Sequence, residues 1–110
     1  MKYGFVRVAA ASPTVQVADC YYNISQIEKS IKKAAEQRVQ VIVFPELSIT
    51  GYTCMDLFLQ EALLQNAVDS LLQLVEQTQT LPPLCIVGMP LQAENRVFNV
   101  AVVFQKGKIL

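Results

Sequence analysis

The chain has no histidine and no tryptophan, and its four glycines lie far apart at Gly4, Gly51, Gly88 and Gly107. Without histidine, neither a Ser–His–Asp nor a Cys–His pair can be built within it. Three scattered cysteines, Cys20, Cys54 and Cys85, supply no paired zinc motif and no disulfide framework spacing. A reduced, cytosolic compartment follows as the simpler expectation. The isolated glycines allow neither a P-loop nor a dinucleotide fingerprint. Nine basic residues balance nine acidic ones, with no basic stripe or charge block, so a nucleic-acid surface is not expected. No apolar run is long enough to span a bilayer, and the first residues carry no signal-peptide pattern. Any chemistry here must use carboxylate, lysine, thiol or tyrosine.

What remains is markedly apolar. Hydrophobic residues make up 53% of 110 positions, well above a disordered composition, so the chain is expected to bury a core. Its length suits one domain or part of one.

Apolar patterning predicts a β-α-β-α-β-β order. Phe5 to Ala11 reads as a first strand, broken by Ser12-Pro13. Asn23 is a candidate N-cap for a helix with Ile24, Ile27, Ile31, Ala34 and Ala35 on one face. Glu28 and Lys32 form an i,i+4 pair in the favourable order. Val39 to Phe44 is a near-continuous apolar run, the pattern of a strand covered on both faces. A second helix is expected over Leu57 to Gln77, with Leu63, Leu64, Ala67, Val68, Leu71, Leu72 and Val75 inward. Leu84 to Gly88 reads as a third strand closed by Met89-Pro90. Asn95-Arg96 reads as a turn, Val97 to Gln105 as a longer strand, and Lys106-Gly107 as a tight turn into Lys108-Ile109-Leu110. Strands alternating with helices imply an α/β fold with a parallel layer, followed by an antiparallel hairpin. Leu110 falls inside the last predicted strand, so residues 1–110 are expected to be the N-terminal part of a domain that continues.

The most informative stretch is Val39 to Asp56. Pro45 ends the apolar run, because it has no N–H for a ladder. Glu46 follows at once, which sets its carboxylate at the C-terminal lip of a central strand, where open α/β sheets bind ligands. An ionisable group placed there is a candidate acid or base. The alternative is that Glu46 caps a helix or faces water. The loop after it carries Ser48, Thr50, Thr53 and Cys54. These hydroxyls either orient a polar substrate or satisfy nearby backbone groups. Cys54 lacks any local base or positive field to lower its pKa, so its position gives little reason to read it as a nucleophile. Cys85, mid-strand, reads as a small core residue. Cys20 falls in an expected loop. Lys106 and Lys108 read as solvated turn lysines.

Val43-Phe44-Pro45-Glu46-Leu47, with Thr50-Gly51-Tyr52 after it, resembles the glutamate motif of the nitrilase (carbon–nitrogen hydrolase) superfamily. Val6 to Ala11 with Asn23, Cys85 to Pro90, and Phe98 to Val103 with Gly107-Lys108-Ile109 resemble the family's first strand, third strand and hairpin. Gly51 to Phe58, ending Asp56-Leu57-Phe58, is most similar to the amidase domain of glutamine-dependent NAD⁺ synthetases.

The resemblance implies a partial four-layer α-β-β-α sandwich and a Glu-Lys-Cys triad, of which Glu46 is the general base. The family's lysine and cysteine come after the hairpin, so neither Lys106, Lys108, Cys54 nor Cys85 is assigned. Tyr52, by its place after the glutamate, is a candidate for the glutamine pocket. The resemblance further implies glutamine as substrate, and a synthetase domain on the same polypeptide using ATP and magnesium to amidate nicotinic acid adenine dinucleotide. It implies a homo-oligomeric assembly, with no cofactor in this segment. Another nitrilase-type amidase without a synthetase domain, or a non-catalytic module of the same fold, stands as the alternative.

Overall fold

The computed structural model describes residues 6–51 and 61–110. Tyr52, Cys54, the Asp56-Leu57-Phe58 stretch and the start predicted for the second helix lie outside the described residues.

The elements run β1 (Val8–Ala10), α1 (Cys20–Glu36), β2 (Val41–Val43), α2 (Glu61–Gln77), β3 (Leu84–Ala93), β4 (Arg96–Gln105) and β5 (Lys108–Ile109). They form one α/β unit with a five-stranded sheet in the order β1-β2-β3-β4-β5. The first three strands are parallel, pairing Val8 with Val41 and Val41 with Leu84. β4 and β5 then add antiparallel. The six elements of the expected order appear in sequence, and the Lys108–Ile109 segment read as the start of another strand adds a seventh, β5.

Both helices bury their apolar faces in one core. Ile24, Ile27 and Ile31 of α1 and Leu71, Leu74 and Val75 of α2 share that core with Ile42, Cys85, Val87, Met89 and Phe104 of the strands. Side chains alternate across a strand, so these sheet residues are every second one. In α2 the inward stripe runs through Leu74, while Leu72, expected inside, is 52% exposed. Both belong to the same leucine-rich run, and only packing against α1 and β3 decides which of them faces in.

The start of α1 corrects the sequence reading. Asp19 is the N-cap, its carboxylate accepting from the Tyr22 N–H at 3.1 Å. Cys20 is thus the buried first residue of the helix rather than a loop residue. Asn23, the expected cap, is 1% exposed and works over longer range. Its side chain accepts from Gln16 N at 2.7 Å and donates to the carbonyls of Gln16 at 2.8 Å and Ile49 at 2.7 Å. The helix ends in a Schellman arrangement. Val39 N bonds Ala34 O at 3.0 Å and Arg38 N bonds Ala35 O at 3.1 Å, with Arg38 at φ +59. The Glu28–Lys32 pair forms, at 3.5 Å.

β3 does not stop at Met89-Pro90. It continues to Ala93, with Pro90 opposite Asn99. The strand tolerates proline because alternate residues point their backbone groups to opposite edges. Leu84 N bonds Gln40 O, and Ile86 O accepts from Phe44 N, so 84, 86, 88 and 90 address the β2 side. Pro90 therefore removes no bond to β4. The β3–β4 turn sits at Glu94 (φ +53) and Asn95 (φ +64), one residue earlier than read from sequence. Two consecutive left-handed residues make the tight hairpin turn that suits twisted strands. Lys106 (φ +51) and Gly107 (φ +82) repeat the device, as expected.

Among the described residues, nothing covers the second face of the sheet. The apolar run of β2 predicted a strand buried on both sides, but Val43 is 40% exposed and Val8 66%. That face also carries Ile86, Ala101 and Val103, brought side by side by the β2–β3–β4 register. A contiguous apolar sheet face in water is a strong driver of association. Purified alone, residues 1–110 are expected to bind a hydrophobic dye and to self-associate in sedimentation velocity; a stable monomer without dye binding would contradict this.

β2 ends at Val43, yet β3 runs on, and its free edge takes up the loop that carries Glu46. Gly88 N donates to Ser48 Oγ at 3.2 Å, and Gly88 O accepts from Ile49 N at 3.1 Å. The loop closes on itself through Gly51 N to Leu47 O at 2.7 Å, with Leu47 at φ +54 and Gly51 at φ +89. The approach is so close that a Cβ on residue 88 would lie 2.4 Å from Leu47 N and 3.0 Å from Glu46 Cα. Both neighbours are backbone, so they cannot swing aside. Gly88→Ala is expected to cost about 1–3 kcal/mol in chemical denaturation, the range for overpacking a tight contact, and an unchanged denaturation midpoint would refute the contact.

Candidate active site

Glu46 stands where the end of β2 meets the side of β3. Phe44 is still held to the sheet, through its N–H to Ile86 O at 2.9 Å, and Pro45 then releases the chain from the ladder. The five residues that follow form a tight turn in which Leu47, Ser48, Ile49 and Thr50 are buried. Of these hydroxyls, Ser48 serves the Gly88 N–H, which is the backbone-satisfying role. The carbonyl of Ile49 is clamped by Asn23, and that of Thr50 accepts from Ala18 N at 2.8 Å. The loop is thus pinned from three sides: helix α1, the segment before it, and strand β3.

Against this rigid base the Glu46 side chain projects outward. It lines a groove of about 310 Å³ with Val43, Phe44, Pro45, Ile86, Val87, Gly88, Asn99, Val100 and Ala101. The placement at the strand lip is as expected. The surroundings are not: the carboxylate is exposed rather than enclosed by packing. The physical reason is the uncovered face of the sheet, which forms the floor of the groove. Its position is nonetheless defined, because Asn99 Nδ2 of β4 donates a hydrogen bond to Glu46 Oε1.

The other candidates fall elsewhere. Cys85 points from β3 into the helix-side core, and burial pushes its thiol up to about 12. Such a thiol stays protonated and unreactive near neutrality. Cys20 is buried at the start of α1. Neither lines the groove. Lys106 and Lys108 are exposed at the far hairpin. Among the described residues, no three His, Cys, Asp or Glu side chains cluster to hold a metal ion, and no helix is long and apolar enough to cross a membrane.

Two residues that shape the site went unremarked as such in the sequence reading: Gly88, which admits the loop, and Asn99, which meets the carboxylate. The available signal for Asn99 was its place as the one polar residue in the apolar run Val97 to Phe104.

Comparison with known proteins agrees with this geometry. The profile of the family described as carbon-nitrogen hydrolase matches residues 7–110. The chain is 36% identical over 109 residues to a protein named glutamine-dependent NAD(+) synthetase from Mycobacterium bovis, and that match covers 99% of this chain. It is 34% identical over 105 residues to the human protein of the same name, covering 96% of this chain. The chain spans only 16% and 15% of the length of these relatives. Among solved structures, a glutamine-dependent NAD(+) synthetase from Cytophaga hutchinsonii superposes with a TM-score of 0.87 at 24% identity, over 94% of this chain and 18% of that one. An amidase from Nesterenkonia sp. superposes with a TM-score of 0.77 at 20% identity, over 96% of this chain and 40% of that one. At these identities the two structures speak for the fold. The strand-to-glutamate turn, the parallel layer and the hairpin are therefore the features of a known architecture, and the chain belongs to the carbon-nitrogen hydrolase family.

Proposed function

We propose that this chain is the N-terminal part of a glutamine-hydrolysing amidase domain, in a polypeptide that passes the released ammonia to a synthetase domain making NAD⁺. The observation that carries this reading is the 36% identity, across 99% of the chain, to a relative named glutamine-dependent NAD(+) synthetase. Glu46, fixed at the strand lip and facing a groove, supports it from the geometry.

Glu46 acts as the general base. It accepts the proton of a cysteine thiol supplied by other residues of the polypeptide, and the thiolate attacks the side-chain amide carbon of glutamine. The carbon–nitrogen bond breaks, the proton passes to the departing nitrogen, and ammonia leaves a thioester behind. Glu46 then takes a proton from water as it attacks the thioester, which releases glutamate and restores the thiol. A lysine from elsewhere in the polypeptide stabilises the oxyanion formed in each attack. Tyr52, close in sequence to the base, is by the resemblance a candidate contact for glutamine. The complete protein works as a homo-oligomer in the cytoplasm.

ATP and magnesium belong to the amidation of nicotinic acid adenine dinucleotide in the synthetase domain. The described residues here offer neither a phosphate-cradling glycine loop nor a cluster of acidic groups for a metal.

A second reading, a stand-alone amidase of the same superfamily, draws on the fold shared with the Nesterenkonia amidase. The two readings separate on the product. In the full-length polypeptide, Glu46→Gln is expected to lower glutamine hydrolysis by at least about 10²-fold, with the melting temperature unchanged and synthesis from added ammonium retained. Hydrolysis at the wild-type rate would refute the role of Glu46. Failure to form NAD⁺ from either nitrogen source, alongside intact amidase turnover, would favour the stand-alone amidase.

A further inference from the structure

We infer that Asn99 is a positioning residue for Glu46: its side-chain amide holds one carboxylate oxygen, so that the other is aimed into the groove. This deepens the reading of Glu46 as the base and rests on it. Asn99 Nδ2 donates to Glu46 Oε1, and both residues line the same groove. They are 53 residues apart in sequence, so only the sheet brings them together. The register explains how. Asn99 pairs with Pro90 on β3, and Ala101 pairs with Gly88, the residue against which the Glu46 backbone lies. Residues 99 and 101 share a face of the sheet, and both line the groove with Gly88 and Glu46.

The chemistry suits the task. An ionised carboxylate only accepts hydrogen bonds, whereas a carboxamide nitrogen brings two N–H donors and no charge. A lysine or arginine in this place would form an ion pair with the base. Asparagine orients the carboxylate without neutralising it. Among the described residues, Oε1 is the atom engaged, which leaves Oε2 for the proton exchanged with the thiol and with water. In the run Val97 to Phe104 every other side chain is apolar, so this donor has no counterpart nearby on its own strand. Because the pair is exposed, the bond contributes little to folding. Its effect belongs to the geometry of catalysis.

The test compares Asn99→Leu and Asn99→Asp in the full-length polypeptide, with ammonia release from glutamine as the assay. Both replacements keep four side-chain heavy atoms branched at Cγ, as in asparagine, the leucine being the bulkier. Leucine lacks the donor, and aspartate sets a second carboxylate against the first. The expected result is a fall in kcat of about 10–100-fold for the leucine variant and a larger fall for the aspartate variant. KM should stay within about threefold and the melting temperature within a few degrees. A residue that merely fills space would tolerate both changes. Retention of kcat within about twofold in either variant overturns the assignment. So does a loss that appears only in KM, or one matched by loss of folded protein. Glu46→Gln, assayed in parallel, separates the two levels of the argument. If that variant stays active, the role of Glu46 itself fails. If it is inactive while both Asn99 variants turn over normally, only the role of Asn99 fails.

Discussion

The close approach between Gly88 and the Glu46–Leu47 peptide is the constraint on which the site depends. A strand edge that continues past its neighbour exposes unpaired N–H and C=O groups, which demand partners. β3 outruns β2 here, and the turn after Pro45 folds back to supply those partners through Ser48 and Ile49. The turn can lie that close only because residue 88 has no side chain. The outcome is a carboxylate whose backbone is fixed as firmly as a strand, although it sits in a loop.

The rest of the fold can be read as support for that placement. Helix α1 reaches the loop through the amide of Asn23, buried and satisfied by three backbone groups. A buried polar side chain of this kind is costly unless every bond is made, so it selects one arrangement of helix, leading segment and loop. Among the described residues, the apolar core cluster lies on the helix side of the sheet. The opposite side of the sheet carries the groove, the carboxylate and Asn99, which separates the part that holds the fold together from the part that lines the candidate site.

Much of the architecture was legible along the chain. Two helical stripes, apolar strand runs and the Lys106-Gly107 turn are local patterns, and each described element overlaps the segment its pattern marks, although strand ends and the facing of single residues differ. Glu46 at the lip of a strand was legible as well, because proline ends a ladder through its own covalent structure. The errors share one cause. Asn23 looked like a helix cap because its residue type favours that position, but Asp19 took the cap and Asn23 bridged to a loop 26 residues away. Pro90 looked like a strand terminator, but its nitrogen faces an edge where no β4 bond is lost. Leu72 and Leu74 could not be told apart by composition. In each case a non-local neighbour decided the outcome.

The residues themselves, then, determined which segments become helices or strands, where the chain must turn, and that residues 1–110 supply no histidine to any chemistry. These follow from backbone sterics, side-chain periodicity and the inventory of functional groups, which any short window of sequence contains. Only the tertiary structure decided that Gly88 receives the glutamate loop, that Asn99 meets the carboxylate, and that Val43 and Val8 of the described residues stay exposed on one face of the sheet. Those facts depend on strand register and on pairing between segments about forty to fifty residues apart, information that no local pattern holds.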